Sequence, residues 1–195
     1  MAYRLLVTLL MLPFLGFSQS GEFKMKIEAF AQDMDSIYKK STLNISPRDI
    51  GVIFDTYPDY TQEFVLKARE KRENSLGRAS KFTYYFAFLS YDDPSDLDYA
   101  MKDWLKEFFE DQSVRPGRET KRYPYGKPSI VIVNKNNISL MTFECSQYDV
   151  QMYRGWREKM LSYFGDANSV VIELLCDGPL QWTKNPPDPK DRTWR

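Results

Sequence analysis

The segment Lys81 to Tyr91, KFTYYFAFLSY, carries aromatic or apolar side chains at both odd and even positions. In an extended backbone successive side chains point to opposite faces, so such a strand is satisfied only inside a sheet that is covered on both sides. That requirement shapes the rest of the chain. Asp92-Asp93-Pro94 breaks the run, and Ser95 with Asp98 caps a helix whose Leu97, Met101, Trp104, Leu105 and Phe108 form one face, ending near Asp111. Ser129 to Val133 and Ile138 to Cys145 read as strands joined by Asn134-Lys135-Asn136-Asn137, whose asparagines tolerate the left-handed backbone of a tight turn. Arg154 to Phe164 follows as a helix with Trp156, Met160, Leu161 and Phe164 inward and Gly165 as its stop, and Ser169 to Cys176 is the last strand.

The order is strand, helix, strand, strand, helix, strand. It predicts an α+β fold, a ferredoxin-like βαββαβ core over residues 78–178 with an antiparallel sheet in the order 4-1-3-2. Right-handed crossovers then put both helices on one face. The other face needs a cover, and the N-terminal helical segment, residues 21–77, is the candidate for it. Phe23, Ile27, Phe30, Met34 and Ile37 form a helical stripe over residues 22–40. Ser46-Pro47-Arg48-Asp49 opens a short helix, although Gly51 to Phe54 reads equally well as a strand. Asp59 with Gln62 opens a further helix carrying Phe64, Val65 and Ala68 to about Glu73. At the other end, residues 179–195 form a Pro-rich C-terminal tail, with prolines at 179, 186, 187 and 189.

Residues 1–20 have the pattern of a signal peptide: Arg4, an apolar run from Leu5 to Leu15, and a small-x-small site near Gly16 to Ser20. The run is too short for a bilayer span, so the expectation is a secreted or periplasmic protein without an integral membrane segment. Removing that segment takes one cation and no carboxylate from a chain with 27 of each, so no overall field attracts nucleic acid. The chain contains no histidine, which excludes His-dependent triads, dyads and zinc sites. No residue pattern asks for a cofactor or a metal. The acids Asp92, Asp93, Asp96 and Asp98 lack the glycine and terminal glutamate of a calcium loop.

Export makes a disulfide between Cys145 and Cys176 the default. In the expected sheet they end two parallel strands separated by another, at about 9.6 Å, whereas bridged Cα atoms lie within about 7 Å. A bulge or a strand-end twist is needed to join them, and buried free thiols are the alternative. Glu144 and Glu173 are acids inside apolar strands, where burial raises a carboxylate pKa toward that of a general acid, although edge strands also carry acids to discourage pairing. The loop from Arg115 to Lys127 sets Arg115, Arg118, Lys121, Arg122 and Lys127 among Tyr123 and Tyr125, a composition suited to an anionic polymer, a phosphorylated headgroup or an acidic protein. Phe82, Tyr84, Tyr85, Phe86, Phe88 and Tyr91 fit a packed core better than an RNA-stacking sheet. The composition therefore favours a non-enzymatic binding or accessory protein whose partner is an unidentified protein or anionic envelope component. A carboxylate-dependent hydrolase of an envelope polymer and a protease-inhibitor-like module stay open beside it.

Overall fold

The computed structural model describes residues 19–42, 57–106, 127–176 and 180–184. Among them the chain forms three helices and one seven-stranded sheet, with a separate two-stranded hairpin. Helix α1 (Gln19–Met34) leads into β1 (Tyr38–Ser41), and β2 (Tyr60–Ala68) follows. The short strands β3 (Arg72–Glu73) and β4 (Ala79–Ser80) make the hairpin. Then come β5 (Thr83–Ser90), α2 (Pro94–Lys106), β6 (Ser129–Asn134), β7 (Asn137–Phe143), α3 (Val150–Phe164), β8 (Val170–Leu174) and β9 (Leu180–Lys184). The sheet order is β1-β2-β5-β7-β6-β8-β9, and each neighbouring pair is antiparallel.

Strand β5 lies in the interior of the sheet, as its two apolar faces demand. Tyr84, Phe86 and Phe88 join a core with α1 and α3, whereas Ala87 and Leu89 join a second core under α2. The α+β class is thus observed, but the ferredoxin-like order 4-1-3-2 is not. The four strands expected after residue 80 stand in the order 1-3-2-4, because β8 pairs with β6 instead of β5. The outer edge of β5 is already taken by β2. The strand order also sets the layers. The crossover through α2 passes β7 and the crossover through α3 passes β6, both advancing in the same direction from oppositely directed strands, so a common hand places the helices on opposite faces. Helices α1 and α3 share one face and α2 covers the other, which leaves neither face without a helix.

The N-terminal helical segment is corrected in two places. Helix α1 ends at Met34, where the backbone amides of Asp35 and Ile37 close turns onto Gln32 and Met34, and Ile37 is half exposed instead of continuing the stripe. Residues 60–68 form a strand, not a helix, and are paired with β5 at eight positions. Phe64 and Leu66 enter the α1–α3 core while Val65 enters the α2 core, a two-residue alternation that a helix cannot provide. The short helix expected from Ser46 lies outside the described residues, as does the amino-terminal apolar run. In the expected C-terminal tail, Leu180 to Lys184 add the edge strand β9 to β8.

Smaller differences have local causes. Asp93, not Ser95, caps α2: its carboxylate accepts from the Ser95 backbone amide and hydroxyl, each at 2.8 Å, and leaves Pro94 at the first helical position. Helix α3 starts earlier than Arg154, at Val150, because Asp149 accepts from the Met152 amide at 2.8 Å. In the β6–β7 turn it is Lys135, at φ 52°, that takes the left-handed backbone, not one of the asparagines.

Candidate functional site

Basic residues cluster where β2 leaves the sheet. From Lys67 to Lys81 the chain places six cations against two carboxylates. Lys39 of β1 stands directly opposite Lys67 of β2, a like-charged cross-strand pair that costs stability unless an anion sits between. These lysines, with Lys81 and Arg69, line an open recess of about 460 Å³. Among the described residues no carboxylate pairs with Lys39, Lys67 or Lys81. Arg69 is committed elsewhere: its guanidinium bonds the Asp35 carbonyl at 2.8 and 3.0 Å and the Asp35 carboxylate at 3.2 Å.

Ala68 and Arg69 also line a second cavity of about 330 Å³, bounded by Ile37, Tyr38, Glu70, Arg72, Phe82 and Tyr84. Tyr38 and Tyr84 sit edge to face with ring centroids 5.5 Å apart, and the Tyr84 hydroxyl donates to the Met152 sulfur at 2.7 Å. Burial pushes both phenols up, the neighbouring Arg72 charge offsetting part of the rise, so both stand protonated at neutral pH. The Arg72 guanidinium has no hydrogen bond or ion pair among the described residues. Tyr38 and Arg72 continue into a third, shallower groove of about 490 Å³ along α3, ending at Trp156 and Lys159. Lys159 there is paired with Asp33, whose carboxyl is held below its usual range by hydrogen bonds from Lys159 and then Tyr163. The three hollows share lining residues and form a run from a lysine-lined shoulder to a cavity bordered by Arg72 and aromatic rings. Charge-assisted, forked donation to a carboxylate or phosphate is what such a cavity and shoulder offer.

The structure separates the residues singled out from sequence. Of the cationic loop, Arg115, Arg118, Lys121, Arg122, Tyr123 and Tyr125 lie outside the described residues. Lys127 is described: it pairs with Glu144 at 2.8 Å and stands over the Tyr85 ring at 5.7 Å. Glu144 is thereby a half-exposed partner of a lysine. Glu173 differs in every respect. It is buried on β8, which is not an edge strand since β9 flanks it, and it lies beneath α3 instead of on a face free of helices. Its carboxylate meets Arg157 at 3.0 Å. Burial raises its pKa, with Arg157 and the Tyr153 hydroxyl pulling the other way. Neither acid lines the hollows described above.

Cys145 and Cys176 are joined in a disulfide, with Cα atoms 5.7 Å apart. Their strands are indeed separated by another, β6, but both residues have left the ladder. Cys145 opens a short 3-10 turn after β7 and Cys176 lies beyond the end of β8, so the spacing between strands no longer sets their distance. Two of the acids after β5 have structural employment, since Asp93 caps α2 and Asp98 pairs with Lys102, while the Asp92 backbone amide donates to the Asp59 carboxylate. Among the described residues no three carboxylates or thiolates converge as a metal would need.

Sequence reasoning missed the Arg72 cleft altogether. Its signal was present as the excess of cations from Lys67 to Lys81, but treating that stretch as the end of a helix hid its meaning. No protein-family model, curated protein or solved structure matches the chain.

Proposed function

We propose that this chain is an exported, non-enzymatic binding protein that captures an anionic group of an envelope component in the Tyr38–Arg72 cleft. The observation that carries it is the Arg72 guanidinium, unpaired among the described residues, beside two protonated phenols in a cavity flanked by Lys39, Lys67 and Lys81. Among the described residues Glu70 is the single carboxylate lining that cavity and the adjoining recess, against Arg69, Arg72 and three lysines. Export is supported by the amino-terminal pattern and agrees with a disulfide in the fold. The absence of histidine and the engagement of Glu144 and Glu173 with Lys127 and Arg157 favour binding over hydrolysis. The loop carrying Arg115, Arg118, Lys121 and Arg122 is proposed as a second point of contact with the same partner.

Calorimetric titration of the mature protein with inorganic pyrophosphate and with citrate tests the cleft. The expected result is saturable binding to at least one of them. It weakens about tenfold in Arg72→Gln, the loss of one charge-assisted hydrogen-bond donor set. Tyr84→Phe weakens it several-fold. Heat that does not saturate with either anion, or equal affinity in Arg72→Gln, rejects the reading.

A further inference from the structure

The β3–β4 hairpin projects a side chain that a solvated turn does not require. At its tip Leu76 is 66% exposed. The turn that presents it is firmly built. The Asn74 side-chain oxygen accepts from the amides of Leu76 at 3.0 Å and Arg78 at 2.9 Å, and the Asn74 amide donates to the Arg78 carbonyl at 3.0 Å. Gly77 takes φ 70°, a backbone that other side chains resist. The Ser75 amide donates to the Ser146 carbonyl at 2.9 Å, which braces the hairpin against the turn that also holds Cys145. The hairpin and its base carry Lys71, Arg72, Arg78 and Lys81, all exposed and none with an ion pair among the described residues, against the two carboxylates Glu70 and Glu73, of which Glu73 lies beside Gly77 at the tip. Ile37, another exposed apolar side chain, borders the cavity that Arg72 borders.

An apolar tip on a hairpin whose cations outnumber its carboxylates by four to two matches one kind of surface. At an anionic bilayer the leucine enters the boundary between headgroups and acyl chains while the ammonium and guanidinium groups stay among lipid phosphates. A soluble acidic protein would reward the cations and leave Leu76 in water. We propose that this hairpin docks the protein onto an anionic membrane surface, with Leu76 inserted and Lys71 and Arg78 on the headgroups. The docking stands apart from anion capture, because Leu76, Lys71 and Arg78 line none of the three hollows.

Flotation of the mature protein with two vesicle preparations, phosphatidylcholine alone and phosphatidylcholine mixed with phosphatidylglycerol, tests it. The expected result is co-flotation with the mixed vesicles only, weakened by salt as exposed charges are screened. Lys71→Gln with Arg78→Gln lowers the partition coefficient by roughly fivefold for each charge removed. Leu76→Glu abolishes flotation, and Leu76→Phe retains it. The tip is exposed, so circular dichroism of these variants stays that of the parent. Tyr84→Phe floats normally while binding pyrophosphate or citrate several-fold more weakly, so docking and capture fail separately. No flotation with mixed vesicles, equal flotation of Leu76→Glu, or binding to a soluble polyanion such as heparin without binding to vesicles overturns the proposal.

Discussion

Glu173 shows how far a single residue can be read without its neighbours. An acid in the run SVVIELLC is conspicuous, and its burial follows from the strand around it. Its partner is not legible, because only the placement of α3 over β8 brings Arg157 within 3.0 Å. The pair controls a pH dependence whose direction can be worked out. Burial raises the Glu173 pKa above its ordinary value of 4.5, so the folded protein holds this proton more tightly than the unfolded chain does. Its stabilising contribution is complete below that ordinary value and is lost as pH rises through the raised one. In urea titrations, the stability of the parent minus that of Glu173→Gln is expected to fall between the acid range and neutrality. Arg157→Leu leaves an unpaired buried carboxylate, which costs about 3–5 kcal/mol at neutral pH and less in acid, where the orphan takes up a proton. The double variant Arg157→Leu/Glu173→Leu recovers most of that loss. A pH-independent difference between parent and Glu173→Gln contradicts the assignment.

Elements were legible where one period was enforced and ambiguous where two fitted. Helix α1 declares itself through Phe23, Ile27, Phe30 and Met34, and all four are buried. Its end does not, since Ile37 keeps the stripe numerically although the backbone has already turned at Asp35. Strand β2 is the harder case. YTQEFVLKA satisfies a helical spacing at Phe64, Val65 and Ala68 and a capping pattern at Asp59 and Gln62, and local signals cannot reject either state. The register with β5 decides, setting Phe64 against Phe86 and Leu66 against Tyr84. Packing then makes α1 indispensable to the sheet. Phe30 is fully buried, and its ring meets those of Phe64, Phe86, Phe88, Trp156, Tyr163 and Phe164 within 6.5 Å. Phe30→Ala removes that cluster's centre and is expected to cost about 3–5 kcal/mol in chemical denaturation. Ile37→Ala, seven residues along the same apparent stripe, is expected to change stability by no more than about 0.5 kcal/mol. Similar losses at both positions are incompatible with a helix that stops at Met34.

At the scale of the whole molecule, one misassigned element propagates into the topology. Val170 to Leu174 is apolar apart from Glu173 and fits beside β5 or beside β6 equally well. Taking residues 60–68 as a helix leaves the outer edge of β5 vacant, and the last strand is then sent there. With β2 on that edge, the strand goes beyond β6, α3 moves to the face of α1, and α2 holds the opposite face alone. The chain from β7 to β8 thus makes a long excursion over β6, and the Cys145–Cys176 bond closes it where it leaves and re-enters the sheet. A link across a separation of 31 residues restricts the unfolded chain enough to contribute about 3–4 kcal/mol, provided the folded geometry is unstrained. Cys145→Ser/Cys176→Ser is expected to lose that amount in guanidinium titrations while keeping its far-ultraviolet circular dichroism, because seven strands and both cores remain. Adding a thiol reductant should bring the parent to the stability of the double variant and leave the variant unchanged. If reduction destabilises both equally, the loss lies elsewhere in the fold; if it affects neither, the two thiols are not joined in solution and the excursion through α3 is held by the Trp156 and Phe164 packing alone.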